Sequence, residues 1–159
     1  MDLVVQKATE LGVARLQPLL TERSVVRLDA QQGERKRRHW RAIAIGACEQ
    51  CGRNRLPEIG EPCALREMLG DSAAAPPSAP ARHVRLLLSP AAARRLGDLE
   101  GPVSAVTVLI GPEGGLTEEE QAAASAAGFL AVRLGPRVLR TETAAIAALT
   151  LLQREFGDI

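Results

Sequence analysis

Three apolar runs in the second half of the chain constrain its fold more than any other feature. "HVRLLLS", "VSAVTVLI" and "FLAVRL" each lead into a small residue followed by proline: Ser89-Pro90, Gly111-Pro112 and Gly135-Pro136. Runs that are apolar nearly throughout fit strands covered on both faces, as in parallel sheets. Helical patterns separate or follow them: a poorly marked one around Ala91 to Leu99, then Thr117 to Ala127, then Thr141 to Phe156. Alternating strands and helices predict an α/β fold with a mainly parallel sheet and helices on both faces. Ligands bind such sheets beyond the carboxyl ends of the strands. The three loops are therefore expected to meet at one sheet edge and form a pocket.

The first half reads less regularly. "DLVVQKATELG" predicts a helix ended by Gly12, and "VARLQPLL" a strand continued by "TERSVV" with a bend at Arg23 and Ser24. "GERKRRHWRAIAIGACEQCG" predicts a longer helix with Trp40, Ile43, Ala44, Ala47 and Cys51 as its apolar stripe. "CALREML" adds one or two helical turns. The small, proline-rich stretch at 70–81 reads as a flexible loop inside one domain spanning 1–159.

The loop "GPEGGLTEEE" follows the second strand and opens a helix, as a phosphate cradle does. It lacks the Gly-Lys-Ser/Thr ending of a P-loop and the spacing of a dinucleotide fingerprint. Thr117 and Glu120 stand at capping-box spacing, and the acids suit the positive helix end while repelling a polyphosphate. Capping leaves Gly111, Gly114 and Gly115 unexplained. Glycines beside a proline make a thin, stiff backbone that a ligand can approach closely. An adenine edge offers both donors and acceptors to such a backbone. S-adenosylmethionine combines an adenine, no phosphate and a cationic sulfonium.

In "LGPRVLRTETAAIAAL", Arg137 and Arg140 stand before a helix whose expected N-cap is Thr141. The helix dipole disfavours arginine there, so Glu113, Glu142 or a substrate anion is expected to offset it. The helix carries Ala145, Leu149, Leu152 and Phe156 on one stripe and Ala144, Ala147, Ala148 and Leu151 on another. Two apolar faces in so small a domain suggest a subunit interface.

Other chemistry has little to draw on. The net charge of +1 confines any nucleic-acid binding to a local patch or a partner domain, and "ERKRRHWR" is either such a patch or a solvated helix face. Three cysteines argue against a disulfide framework, and Cys48-x-x-Cys51 has no second ligand pair for zinc, so no metal is expected. Two isolated histidines and no G-x-S-x-G leave little for a hydrolase triad. The apolar runs are far too short to span a membrane and no signal peptide opens the chain, so a cytoplasmic protein is expected.

In this order, "QKATELGV", "PLLTERSVV", "ACEQCGR", "IGPEGGLTEEE", "GF" and "LGPRVLRTETAAIAAL" resemble the ribosomal RNA small subunit methyltransferase E family. The resemblance implies a SPOUT-class α/β fold with a C-terminal deep trefoil knot, a rare exception to unknotted topology. It also implies a homodimer that uses S-adenosylmethionine to methylate N3 of a uridine in 16S rRNA of the small ribosomal subunit. By position, the cofactor loops comprise Leu87, Leu88, Ser89 and Pro90; Ile110, Gly111, Pro112, Glu113, Gly114 and Gly115; and Leu134, Gly135, Arg137, Val138, Leu139, Arg140 and Thr141. Arg140 is expected to stabilise charge on the uracil or fix its phosphate, with Arg137 assisting and Glu113 or Glu142 orienting an arginine or accepting the proton. Arg23, Gln50 and Arg53 belong to family-like motifs, and line the RNA side of the pocket or pack a dimer. Such proteins usually carry an N-terminal PUA-like barrel, which is expected to be absent because the chain opens where the catalytic domain does. The alternatives are a ribose 2′-O-methyltransferase of the same class and a non-catalytic RNA-binding dimer.

Overall fold

The computed structural model describes residues 1–24, 28–73, 82–99 and 101–159. Its strongest organiser is a three-stranded parallel sheet of β5 (His83–Leu88), β6 (Ala105–Ile110) and β7 (Leu130–Val132), with β5 in the middle. Leu88 lies in register with both Ile110 and Val132, so all three strands end at one edge. Alternation splits the strand residues between two cores. Leu87 and Leu109 pack with Leu65 and Leu69 of α3 (Leu65–Ala73), with Ala124 of α4 (Glu118–Ala126), and with Phe129. Val84, Leu86 and Val132 pack on the other face with Leu96, Leu99 and Leu152 of α5 (Thr141–Phe156). Each large side chain so buried contributes roughly 1.5–3 kcal/mol. The expected parallel sheet with helices on both faces is observed.

A smaller unit precedes it. Helix α1 (Asp2–Glu10) lies against α2 (Ala30–Cys51), and Val5, Trp40, Ala44 and Ile59 form a third core between them and the chain beyond. Asp29 and Gln32 form a capping box at the start of α2, with Asp29 Oδ1 accepting from the Gln32 N–H at 2.7 Å. Gly52 closes α2 in the left-handed conformation. Among the described residues no helix is long and apolar enough to cross a membrane.

Several expectations need correcting. The strand over "VARLQPLL" divides into β1 (Arg15–Leu16) and β2 (Leu19–Leu20), which pair in parallel with β3 (Glu58–Ile59) and β4 (Cys63–Ala64) respectively. Pro18 lies at the break, where it has no N–H to give a ladder. The helix expected around Ala91 to Leu99 shrinks to a 3-10 turn at Leu96–Asp98, because Arg95 forms a parallel bridge with Arg133 beyond β7. On α2 the buried cysteine is Cys48, and Cys51 is exposed. Helix α3 runs through Ala73, so the loop expected over 70–81 begins as helix, and 74–81 lie outside the described residues.

Candidate functional site

The register of the sheet brings the three predicted loops out together. The Ser89 N–H donates to the Val132 carbonyl at 2.9 Å, joining the first loop to the end of β7. Thr141 Oγ1 donates to the Gly111 carbonyl at 3.2 Å, joining the third loop to the second. Within the first loop, Leu87 is buried in the core and Leu88 half-buried against the opposite face, while Pro90 is exposed. Leu87 can therefore offer a ligand only its backbone.

The glycine loop is held from two sides. Gly115 has φ +69° and its N–H closes a turn on the Pro112 carbonyl at 2.8 Å, a left-handed position that favours glycine. A Cβ on Gly111 would sit 3.3 Å from both Cγ and the backbone nitrogen of Leu116, so the loop lies flat on the start of the next segment. Across it runs Arg23, whose Nη1 donates to the Gly114 carbonyl at 2.9 Å. Pro112 and Gly111 are half-buried, and Glu113 is exposed.

The three glutamates that follow divide their roles. Thr117 caps α4 and accepts from the Glu120 N–H at 3.2 Å. Glu120, only 4% exposed, accepts from the Thr117 N–H through Oε2 at 2.9 Å and from the Glu22 N–H through Oε1 at 2.9 Å. One carboxylate thus closes the capping box and anchors the turn that carries Arg23. Glu119 is exposed, and its carboxyl is held below the usual range chiefly by its own backbone N–H, then by Thr117. The capping spacing was visible in the sequence. The bond to Glu22 was not, because 98 residues separate the two.

The third loop presents two arginines that form no ion pair among the described residues. Arg137, Val138 and Arg140 are exposed, Val138 at 80%, while Leu134, Gly135 and Leu139 are half-buried. Arg140, not Thr141, occupies the N-cap of α5, and its side chain makes no capping bond. Thr141 is the first helical residue, which frees its hydroxyl for Gly111. Glu113 and Glu142 form no ion pair with either arginine, so the internal neutralisation expected from the helix dipole is missing among the described residues.

Of the other candidates, Arg23 belongs to the glycine loop. Arg53 instead binds the end of α1, donating to the carbonyls of Thr9 (2.9 Å), Gly12 (3.2 Å) and Val13 (2.7 Å). Gln50 is exposed on α2. A cavity of about 400 Å³, missed in the sequence, opens beside the Arg23 turn and is lined by Thr21, Glu22, Ser24, Leu28, Arg66 and Glu120, among others. Among the described residues no group of three or more His, Cys, Asp or Glu could hold a metal ion.

Known proteins are similar to this chain in sequence and fold. The sequence profile of a family described as RNA methyltransferase domain matches residues 1–153. Ribosomal RNA small subunit methyltransferase E of Buchnera aphidicola (strain Sg) is 36% identical over all of this chain and 62% of its own length. The protein of that name from Bacillus subtilis is 32% identical over 96% of this chain and 60% of its own length. The chain therefore spans about three fifths of the length of these curated relatives. A Legionella pneumophila protein solved in complex with the cofactor SAM superposes with a TM-score of 0.88 at 45% identity, covering 100% of this chain and 62% of its own. Ribosomal RNA small subunit methyltransferase E of Neisseria gonorrhoeae, bound to S-adenosyl methionine, gives 0.86 at 40% identity over 98% and 61%. With its sequence matched almost end to end and its three loops gathered at one sheet edge, the chain belongs to the RNA methyltransferase domain family.

Proposed function

We propose that this chain is the catalytic, cofactor-binding domain of an S-adenosylmethionine-dependent methyltransferase acting on N3 of a uridine in 16S rRNA. The observation that carries this is the glycine loop tied to Thr141 and Arg23, at the same sheet edge as Arg137 and Arg140, which form no ion pair among the described residues. Two relatives of similar fold are named with that cofactor bound, and the curated relatives are named for the small-subunit RNA. The loop fits the cofactor because it is thin where a Cβ would strike Leu116, and because its acidic helix start suits a phosphate-free, cationic ligand.

Backbone groups of Ile110 to Gly115 and of Leu134 to Leu139 would hold the adenosine, with Ser89 and Thr141 fixing the loops against each other. When bound, S-adenosylmethionine supplies an electrophilic methyl on a sulfonium. The residues of this chain have two remaining tasks, positioning the uridine and managing its charge. N3 of uridine carries a proton, so it becomes nucleophilic as that proton leaves and charge spreads over the uracil oxygens. The Arg140 guanidinium stabilises that charge, with Arg137 assisting. Glu113 or Glu142 accepts the proton or orients an arginine. A homodimer and a threaded C-terminal segment complete the proposal, and the Thr141–Gly111 bond is in keeping with such threading.

Arg140→Ala in the full-length protein should lower methyl transfer to small ribosomal subunits by about 10²-fold or more. Its melting temperature should stay unchanged, since the side chain bonds to nothing among the described residues. Unchanged turnover would remove Arg140 from the mechanism. Calorimetry adds an independent check, because no heat at millimolar S-adenosylmethionine would favour a non-catalytic RNA-binding dimer.

A further inference from the structure

The outer face of α2 is charged in a way that helix stability does not require. From Gln32 to Arg41 five Lys and Arg residues accompany one carboxylate, Glu34, in a chain of net charge +1. Glu34 is shared by Arg37 (3.2 Å) and Arg38 (3.7 Å), and Arg37 also reaches Glu61 (3.4 Å) and the Ile59 carbonyl (3.1 Å). Those two arginines are occupied by the fold. Arg35 and Lys36 are exposed and pair with nothing among the described residues. They share one stripe with Gln32 and His39, at positions i, i+3, i+4 and i+7. The carboxylates of this stripe lie at its ends, Asp29 capping the helix beside Gln32 and Asp2 bonding His39 Nε2 at 2.9 Å, while Arg35 and Lys36 between them meet none among the described residues.

The stripe also leads somewhere. Gln32, Arg35, Lys36 and His39, together with Leu28, line an open groove of about 420 Å³. Leu28 also lines the cavity that contains Thr21, Glu22, Ser24 and Glu120. The turn on that cavity's wall carries Arg23, which lies on Gly114. A cationic groove thus runs, by way of a shared leucine, to the side of the glycine loop.

We propose that Arg35 and Lys36, in the groove they line with Gln32, form a track for the phosphate backbone of the RNA substrate, which leads the strand into the cavity beside the glycine loop. This inference rests on the methyltransferase reading for its ligand. Arginine and lysine serve here as phosphate contacts, which set position and affinity without reading bases.

The test measures binding of unmethylated small ribosomal subunits by the full-length protein between roughly 50 and 200 mM salt. Arg35→Ala/Lys36→Ala should weaken binding on the order of tenfold and make the log–log salt slope shallower by about 1.5. It should raise KM for the subunit more than it lowers kcat. Alanine favours helix at these exposed positions, so the circular dichroism should be unchanged. Arg15→Ala, which removes a charge elsewhere, should leave binding and slope as they were. An unaltered slope and affinity in the double variant would overturn the track. So would a loss of binding to anionic vesicles with RNA binding intact. If the wild type neither binds S-adenosylmethionine nor methylates, the functional reading fails, while the salt slopes still decide whether the stripe contacts RNA.

Discussion

Glu120 supports two backbone N–H groups from elements far apart in sequence, one at the start of α4 and one in the turn after β2. Both bonds are accepted by oxygens of one buried carboxyl group, where leaving a partner unmade costs most. Glutamine fits the same space, but its amide nitrogen cannot accept from an N–H. Glu120→Gln should therefore orphan one backbone donor and lower unfolding free energy by about 1–3 kcal/mol, read by urea titration. S-adenosylmethionine affinity should fall too, because Arg23 would no longer be anchored against Gly114. Wild-type stability in this variant would show that one of the two bonds contributes nothing. The capping half of this role could be read from Thr117 and Glu120 three residues apart. The other half depended on a tertiary contact that no local spacing signals.

At the level of elements, what was legible followed from strong local patterns. The apolar runs of β5 and β6 and the long helix of α5 fall close to where periodicity placed them, because each buries a continuous face. The failures lie where tertiary pairing overrode local pattern: Pro18 split one strand into two partnerships, and the Arg95–Arg133 bridge drew a helical stretch into extended chain. The α1–α2 pair was legible as two helices but not as a charged junction. There Asp2 accepts from Trp40 Nε1 at 3.1 Å and bonds His39 Nε2 at 2.9 Å. The hydrogen bond to His39 is the largest cause holding the Asp2 carboxyl below its ordinary value, with the Trp40 bond adding to it. A depressed folded value means that stabilisation is full above the ordinary aspartate range and is lost as pH falls through the folded value. The stability gap between wild type and Asp2→Asn, followed by urea titration, should begin to narrow as pH drops from about 5 to about 3 and go on narrowing below that. A gap that stays constant through that range would contradict the depressed value.

In the whole molecule, α1 and α5 meet through the Gln153 side chain, which donates to the Leu11 carbonyl at 2.6 Å. On these two helices, Leu151 of α5 is 40% exposed and Leu3 of α1 is 47% exposed. The proposed homodimer would cover such residues, and Leu151→Asp should then move the sedimentation coefficient from dimer toward monomer at micromolar protein. An unchanged coefficient would place the interface elsewhere or remove it. Under the proposed function, the three loops, the buried glutamate and the basic groove all serve delivery of a methyl group to RNA. That claim is tested most directly by incubating unmethylated small ribosomal subunits with the full-length protein and labelled S-adenosylmethionine, then digesting the RNA to nucleosides. Label in 3-methyluridine is the expected result. Label in a ribose 2′-O-methyl nucleoside, or none in RNA, would contradict it.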